Sequence, residues 1–336
     1  YTTINKPNTH MNTVLYTGNG STQSITGVNF QPDFVWVKSR NFAEDHQLTD
    51  SVRGATKVIQ SNLIAVESTM TGGLTSFNAD GFSVGNQSDF NYNGDALISW
   101  NWKAGGTAVS NTDGSITSSV SANTDSGFSI VTWTGTGANA TVGHGLGSVP
   151  KMIILKNRDS DENWIVGNTS LGWTKYLALN LTDSASTVSN IWQDTAPDSD
   201  KFSIGASGKV NGSSNGMVVY AFAEKKGFSK FGSYVGNGNA DGTFIYTGFK
   251  PAFYMYKRTD STANWTIFDN KRNTFNEMGL QLHPNLSNAG SFSSRGDFLS
   301  NGFKVRSSAG STNALGGNYI YMAFAENPLV ANTSGG

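Results

Sequence analysis

Three stretches of this chain place an apolar run behind a proline and end it with a lysine six residues later. They are "QPDFVWVKSR" from Gln31, "VPKMIILKNR" from Val149 and "KPAFYMYKR" from Lys250, in which Pro32, Pro150 and Pro251 lead to Lys38, Lys156 and Lys257. The register extends further: eight residues past each lysine stand His46, Trp164 and Trp265, and four further on Asp50, Asn168 and Asp269. Upstream, "YTGNG" at 16–20 returns as "WTGTG" at 133–137 and "YVGNG" at 234–238. Downstream, "DGFSVG", "DKFSIG" and "NGFKV" precede closing runs "ALISWNWKA", "MVVYAFAEK" and "YIYMAFAEN". An internal repeat of this kind constrains the fold more than composition does, because what one copy forms the others form too.

Each copy reads as short strands. The run after the proline is apolar at both alternating sets, with Phe34 and Trp36 opposite Val35 and Val37, which predicts a central strand covered on both faces. The closing run alternates, with Ala96, Ile98, Trp100 and Trp102 on a core face and Ser99, Asn101 and Lys103 on the other. Turn signals such as "NADGF" and "LSNGF" separate the runs, and "GNG" reads as a hairpin turn. The expected fold is all-β, three tandem β-sandwich (jelly-roll-like) repeats. Trp100, Phe222 and Phe324 are aligned as equivalent buried positions.

The spacing divides the chain. Pro32 to Pro150 spans 118 positions and Pro150 to Pro251 spans 101, so the first junction carries extra residues. They are "NTDGSITSSVSANTDSG", a Ser/Thr/Asn/Gly run too poor in apolar bulk to offset the entropy of ordering. The boundaries expected are an arm at 1–11, repeats at 12–104, 127–226 and 227–328, a linker at 105–126 and a tail at 329–336. A small hairpin is expected at Asp113-Gly114. The short joint "EKKGFSKFGS" predicts a fixed relation between the second and third repeats and more freedom for the first.

Charge excludes some functions. Lys plus Arg number 23 and Asp plus Glu 24, for a net charge of -1. Nothing in that balance attracts nucleic acid or an anionic bilayer. No apolar run approaches the length of a membrane span, so no membrane insertion is expected. The chain opens on Tyr1 in place of Met, consistent with an upstream segment that is missing or removed. Cysteine is absent, which removes disulfides and thiolate ligands. His10, His46, His144 and His283 share no metal-ligand spacing, and no cofactor is expected.

The candidate binding residues each have a structural alternative. Lys38, Lys156 and Lys257 are placed to hold an anionic sugar, although a recurrent lysine more commonly covers a core edge with its stem. Trp164 and Trp265 are candidate platforms for a sugar ring, yet their matched positions favour a core role. His144, among the glycines of "GHGLG", reads as an exposed loop residue. A glycosidase needs two carboxylates facing across a cleft. Asp161 with Glu162, and Glu224 with Glu326, are the acids to inspect, and the last two occupy equivalent positions. No enzymatic activity is expected.

The segments "YTGNGSTQSITGVNFQPDFVWVKSRN", "DSVRG", "SFNADGFSVG", the long run from "WNWKAGGTAVS" to "VPKMIILKNR", and the "AFAE" endings resemble repeats of structural proteins of tailed bacteriophages, marine and cyanophage types in particular. The resemblance covers about residues 12 to 328, and the third copy departs most. It implies a virion protein, assembled in the host cytoplasm, in a tail fibre, tail-associated or head-surface appendage. It further implies contact with other virion proteins and with itself as a homo-oligomer, a trimer by preference. The alternative is a carbohydrate-binding or depolymerising module acting on host-envelope glycans.

Overall fold

Strand signals dominate the sequence, and strands dominate the chain. The computed structural model describes residues 2–328; Tyr1 and the tail assigned to 329–336 lie outside the described residues. The α-helices are single turns of four residues, and every ladder between the strands is antiparallel. No described helix is long and apolar enough to cross a membrane.

Three main sheets carry the architecture. The first orders its strands as Met11–Thr17, Ala96–Trp102, Phe34–Ser39, Gln47–Asp50, Lys57–Gln60 and Ser68–Thr69. The second, with eight strands, centres on Gly216–Ala223 between Phe128–Thr134 and Pro150–Asn157. The third orders Ser229–Val235, Asn318–Pro328, Phe249–Arg258 and Thr266–Asp269. In each, the strand following the proline pairs with the closing strand. The proline lacks an N–H to donate, and in the second and third sheets it sits at a register shift, Pro150/Met152 and Pro251/Phe253.

A smaller sheet covers one face of each main sheet. Gln23–Thr26, Gly81–Val84 and Leu74–Asn78 cover the first; Ala140–Gly143 with Lys201–Ile204 cover the second; and four strands including Gly302–Val305 cover the third. Val35, Val37 and Leu97 pack under the first cover, Ile153, Leu155 and Val219 under the second, Tyr254, Tyr256 and Tyr321 under the third.

The opposite faces meet one another. Phe34, Trp36, Ile98, Trp100 and Trp102 share one buried cluster with Met152, Ile154, Tyr220 and Phe222 and with Phe253, Met255, Met322 and Phe324. This corrects the expectation that the first repeat has more freedom, since side chains from all three sheets close a single core. Ile4 of the arm and Phe228 and Phe231 of the "GFSKF" joint also belong to it. Strands apolar on both alternating sets therefore serve two cores, one local and one common.

Three further expectations change. Ser99 and Asn101 are fully buried: Asn101 Nδ2 donates to Ser99 Oγ at 3.0 Å and to Asn12 O at 3.1 Å, so both faces of that strand are covered. Trp102, not Trp100, holds the pairing register of Phe222 and Phe324. Trp102 pairs with Phe34, Phe222 with Met152 and Phe324 with Phe253, each two residues past its proline. The 105–126 segment is no free linker, because Val109–Asn111 and Ser118–Asn123 pair antiparallel and join the edge of the second main sheet. Its turn contains Asp113-Gly114, where Asp113 N–H donates to Asn111 Oδ1 at 3.0 Å and a Cβ on Gly114 would collide with Thr141 O.

Candidate functional site

The three main sheets meet along three seams, and the repeated residues lie in them. Trp164 Nε1 donates to Gln60 O of the first sheet at 2.8 Å, and Trp265 Nε1 to Ala178 O of the second at 2.8 Å. His46 completes the circuit toward His283 O of the third, 2.9 Å from Nε2. Because Trp36 Nε1 donates to His46 Nδ1 at 2.8 Å, Nδ1 is the unprotonated nitrogen and Nε2–H is the donor to His283 O. Burial holds the His46 imidazole well below the ordinary histidine value. Backbone bonds repeat the pattern: Glu67 N–H to Arg158 O, Ala185 N–H to Thr259 O and Gly290 N–H to Arg40 O, each at 2.8 Å.

The lysines sit beside these bonds with no solvent exposure. Lys156 Nζ donates to Ile64 O and Glu162 O at 2.8 Å, Lys257 Nζ to Arg258 O at 2.6 Å and Thr182 O at 3.1 Å, and Lys38 Nζ to Ser39 O at 2.8 Å and Phe42 O at 3.2 Å. Lys156 and Lys257 thereby tie their own strand to a loop of the preceding sheet. Their ammonium groups face backbone carbonyls, and no surface is left to them for a sugar. Trp164 and Trp265, 0 % and 1 % exposed, likewise present no stacking platform.

His144 is corrected outright: it is buried, its Nδ1 accepts from Leu146 N–H at 3.2 Å, and its Nε2 faces Asp198 O at 3.2 Å. Burial lowers its pKa, with Asp198 pulling in the other direction.

Burial lowers the pKa of Lys38, Lys156 and Lys257 each to about 8, with nearby acids such as Asp95, Asp161 and Asp183 opposing the shift. Below pH 8 these groups are charged in folded and unfolded chains alike. Between about 8 and the unfolded value of 10.5 the unfolded chain holds more protons, so stability rises with pH. The buried phenols of Tyr16, Tyr220, Tyr234 and Tyr254 act oppositely above pH 10.0: the unfolded chain ionises there while the folded chain stays protonated. Urea midpoints are therefore expected to climb from about pH 8 to about pH 10 and then fall. A flat or declining midpoint across that first interval contradicts this assignment.

Residues to which the sequence assigned no role also hold the seams. Asp50 Oδ2 accepts from Arg53 Nε at 2.5 Å and from Tyr220 OH of the second sheet at 2.8 Å. Asp269 Oδ2 accepts from Arg272 Nε at 2.6 Å and from Trp100 Nε1 of the first sheet at 3.3 Å. The second sheet has Asn168 and, three positions on, Leu171, so aspartate and arginine are lost together. The legible signal was D-x-x-R after the strand in "DSVR" and "DNKR".

A second signal was the asparagine before each closing strand. Asn91, Asn211 and Asn313, fully buried, accept at Oδ1 from Asn19, Thr136 and Asn237 N–H and donate back to the same turns. The "GNG" motif is thus a corner between two sheets, not a hairpin. A Cβ on Gly18, Gly135 or Gly236 would collide with the carbonyls of Tyr92, Gly212 or Ala314.

Two of the four acids singled out for hydrolysis are held in ion pairs: Glu224 with Lys230 and Glu326 with Lys250, each at 2.7 Å. Glu224 borders a surface cleft of about 450 Å³ with Lys226, Tyr246 and Pro328. Among the described residues no group of three or more His, Asp or Glu is arranged to hold a metal ion.

No curated protein matches this sequence. One family does, and it spans all three sheets as one domain: residues 6–328 match DUF7483, a domain of unknown function, and the chain belongs to that family.

Proposed function

We propose that this chain is a structural protein of a tailed-bacteriophage particle, in a tail fibre, tail-associated or head-surface appendage, built from three copies of one jelly-roll-like sandwich and acting by contact. The observation that carries the contact reading is the burial of all eight tryptophans, the most exposed being Trp173 at 8 %. A sugar-binding module stacks its ligand on exposed aromatic faces, and here the tryptophans are spent on holding sheets together. The repeated seam bonds support the three-copy reading, and the segments quoted above support the particle assignment through their resemblance to phage repeats.

The surface offered to partners carries isolated apolar tips, Phe275 at 84 %, Leu315 at 83 % and Phe292 at 65 % exposure. Presented on several copies at once, weak contacts of this kind gain strength by multivalency. Self-association into a trimer remains part of the proposal.

Light scattering on the purified protein is expected to return three times the 35.8 kDa of one chain, and particles labelled through a tag on it are expected to show the label at one fixed place. Absence from purified particles overturns the virion reading. A single-chain mass both in solution and on particles overturns the trimer, and saturable binding to host glycans would favour the carbohydrate module.

A further inference from the structure

The three seams are built on one plan but differ in charge. At the seam between first and second sheets, two arginines share one carboxylate: Glu67 Oε2 accepts from Arg53 NH1 at 2.9 Å and from Arg158 Nε at 3.0 Å. Glu67 is the residue whose backbone N–H bonds Arg158 O. At the seam between second and third sheets the same positions are Leu171, Thr259 and Ala185, and all are neutral.

The seam between third and first sheets has both arginines and no carboxylate. Arg272 stands where Arg53 stands, three residues after its aspartate, and Arg40 stands where Arg158 stands, two residues after its lysine. The bridging position, whose N–H bonds Arg40 O, is Gly290.

The consequence appears atom by atom. Arg272 Nε and NH2 repeat the bonds of Arg53, to Asp269 Oδ2 at 2.6 Å and to Ile267 O at 3.1 Å. Arg272 NH1 and Arg40 Nε, counterparts of the two nitrogens that meet on Glu67, are buried and have no hydrogen-bond partner among the described residues. The Arg272 side chain is only 2 % exposed. Arg272 is near enough to lower the Arg40 pKa, after burial the largest cause, while Asp269 and Asp95 oppose it. Leaving such donors unmade is costly, and while Arg272 has Asp269, Arg40 has no carboxylate in ion-pair range among the described residues.

We propose that this seam is a binding site for a small carboxylate anion, one oxygen of which takes the place of Glu67 Oε2 between Arg272 NH1 and Arg40 Nε. Guanidinium forks match carboxylate geometry, and such charge-assisted bonds are among the strong ones. Gly290 brings no side chain to the place where Glu67 puts its carboxylate, and a Cβ there would sit close to the backbone, 3.2 Å from Arg40 O, with Gln281 O at 3.8 Å and Leu282 Cδ2 at 3.9 Å. Glu67 and Ala185 carry side chains at the matching position. Both Arg40 and Gly290 are partly exposed, so the two buried nitrogens lie beneath residues that reach the surface.

The test is thermal unfolding of the full chain titrated with sodium acetate against sodium chloride at equal ionic strength. The native protein is expected to gain melting temperature saturably with acetate and not with chloride. Gly290→Glu is expected to melt higher than the native protein without acetate and to lose the acetate response. Glu67→Gly is expected to melt lower and to show a larger acetate response, having two such seams. An equal response to acetate and chloride in the native protein overturns the proposal, as does a Gly290→Glu protein that still responds like the native one. Should Gly290→Glu fail to fold, Arg40→Gln takes its place: loss of the acetate response supports the site and an intact response overturns it.

Discussion

Trp102→Ala is expected to lower stability by about 3–5 kcal/mol, the range for emptying a large aromatic site in a packed core, and to do so for all three sheets at once. The Trp102 ring lies 5.3 Å from Phe34 of its own sheet, 6.4 Å from Phe222 of the second, and 5.6 and 5.8 Å from Phe253 and Phe324 of the third. A side chain in that place belongs to no single sheet. Calorimetry of the native protein should show one cooperative transition, and the variant one transition at lower temperature. Separate transitions, with only the first displaced, would contradict a common core.

A comparable loss, about 3–5 kcal/mol, is expected for Asp269→Asn, because removing one member of a buried pair strands the other. Among the described residues Asp269 is the one carboxylate in ion-pair range of Arg272. Here the chain supplies its own control. Asn168 and Leu171 occupy the matching positions of the second sheet, where Leu171 packs against the common core. Adding Arg272→Leu to Asp269→Asn should therefore recover most of the loss, since the charge and its partner leave together. Urea unfolding of both single variants and the double variant measures this coupling. A double variant as unstable as the sum of its singles would show that the pair is not the relevant unit.

What the sequence revealed follows from what repeats locally. Each proline lies within two residues of a strand's start and each lysine is that strand's penultimate residue, so register was readable across Pro32, Pro150 and Pro251. Alternation also placed Phe34 and Trp36 opposite Val35 and Val37 correctly. It could not say what covers each face, because a period of two distinguishes sides and not partners. That is why the common core, which the three sheets share in addition to their local ones, is not legible in the sequence. His144 was misread for a related reason: flexible glycine neighbours suggest exposure, whereas Asp198 O and Asp200 O, more than fifty residues away, bury it. The 105–126 segment was read from composition, yet serine and threonine suit a strand edge where Ser118 and Ser121 bond to Gly143 O and Gly106 O. Seam chemistry was the least visible, since Glu67 and Arg158 are 91 positions apart and meet only after closure.

At the end of the third sheet, Gly227 is flanked by both ends of the described chain: a Cβ there would lie 2.8 Å from Thr2 Cβ and 3.5 Å from Pro328 Cβ. With each sheet held by its neighbour in a closed circuit, the peptide links between sheets specify order of synthesis more than shape. A gene reopened in the Asp113-Gly114 turn and joined across Thr2 and Pro328 would encode the same closed body with a different starting point. Interchangeable starting points mean that a body of this kind can be joined to another chain through whichever exit faces outward.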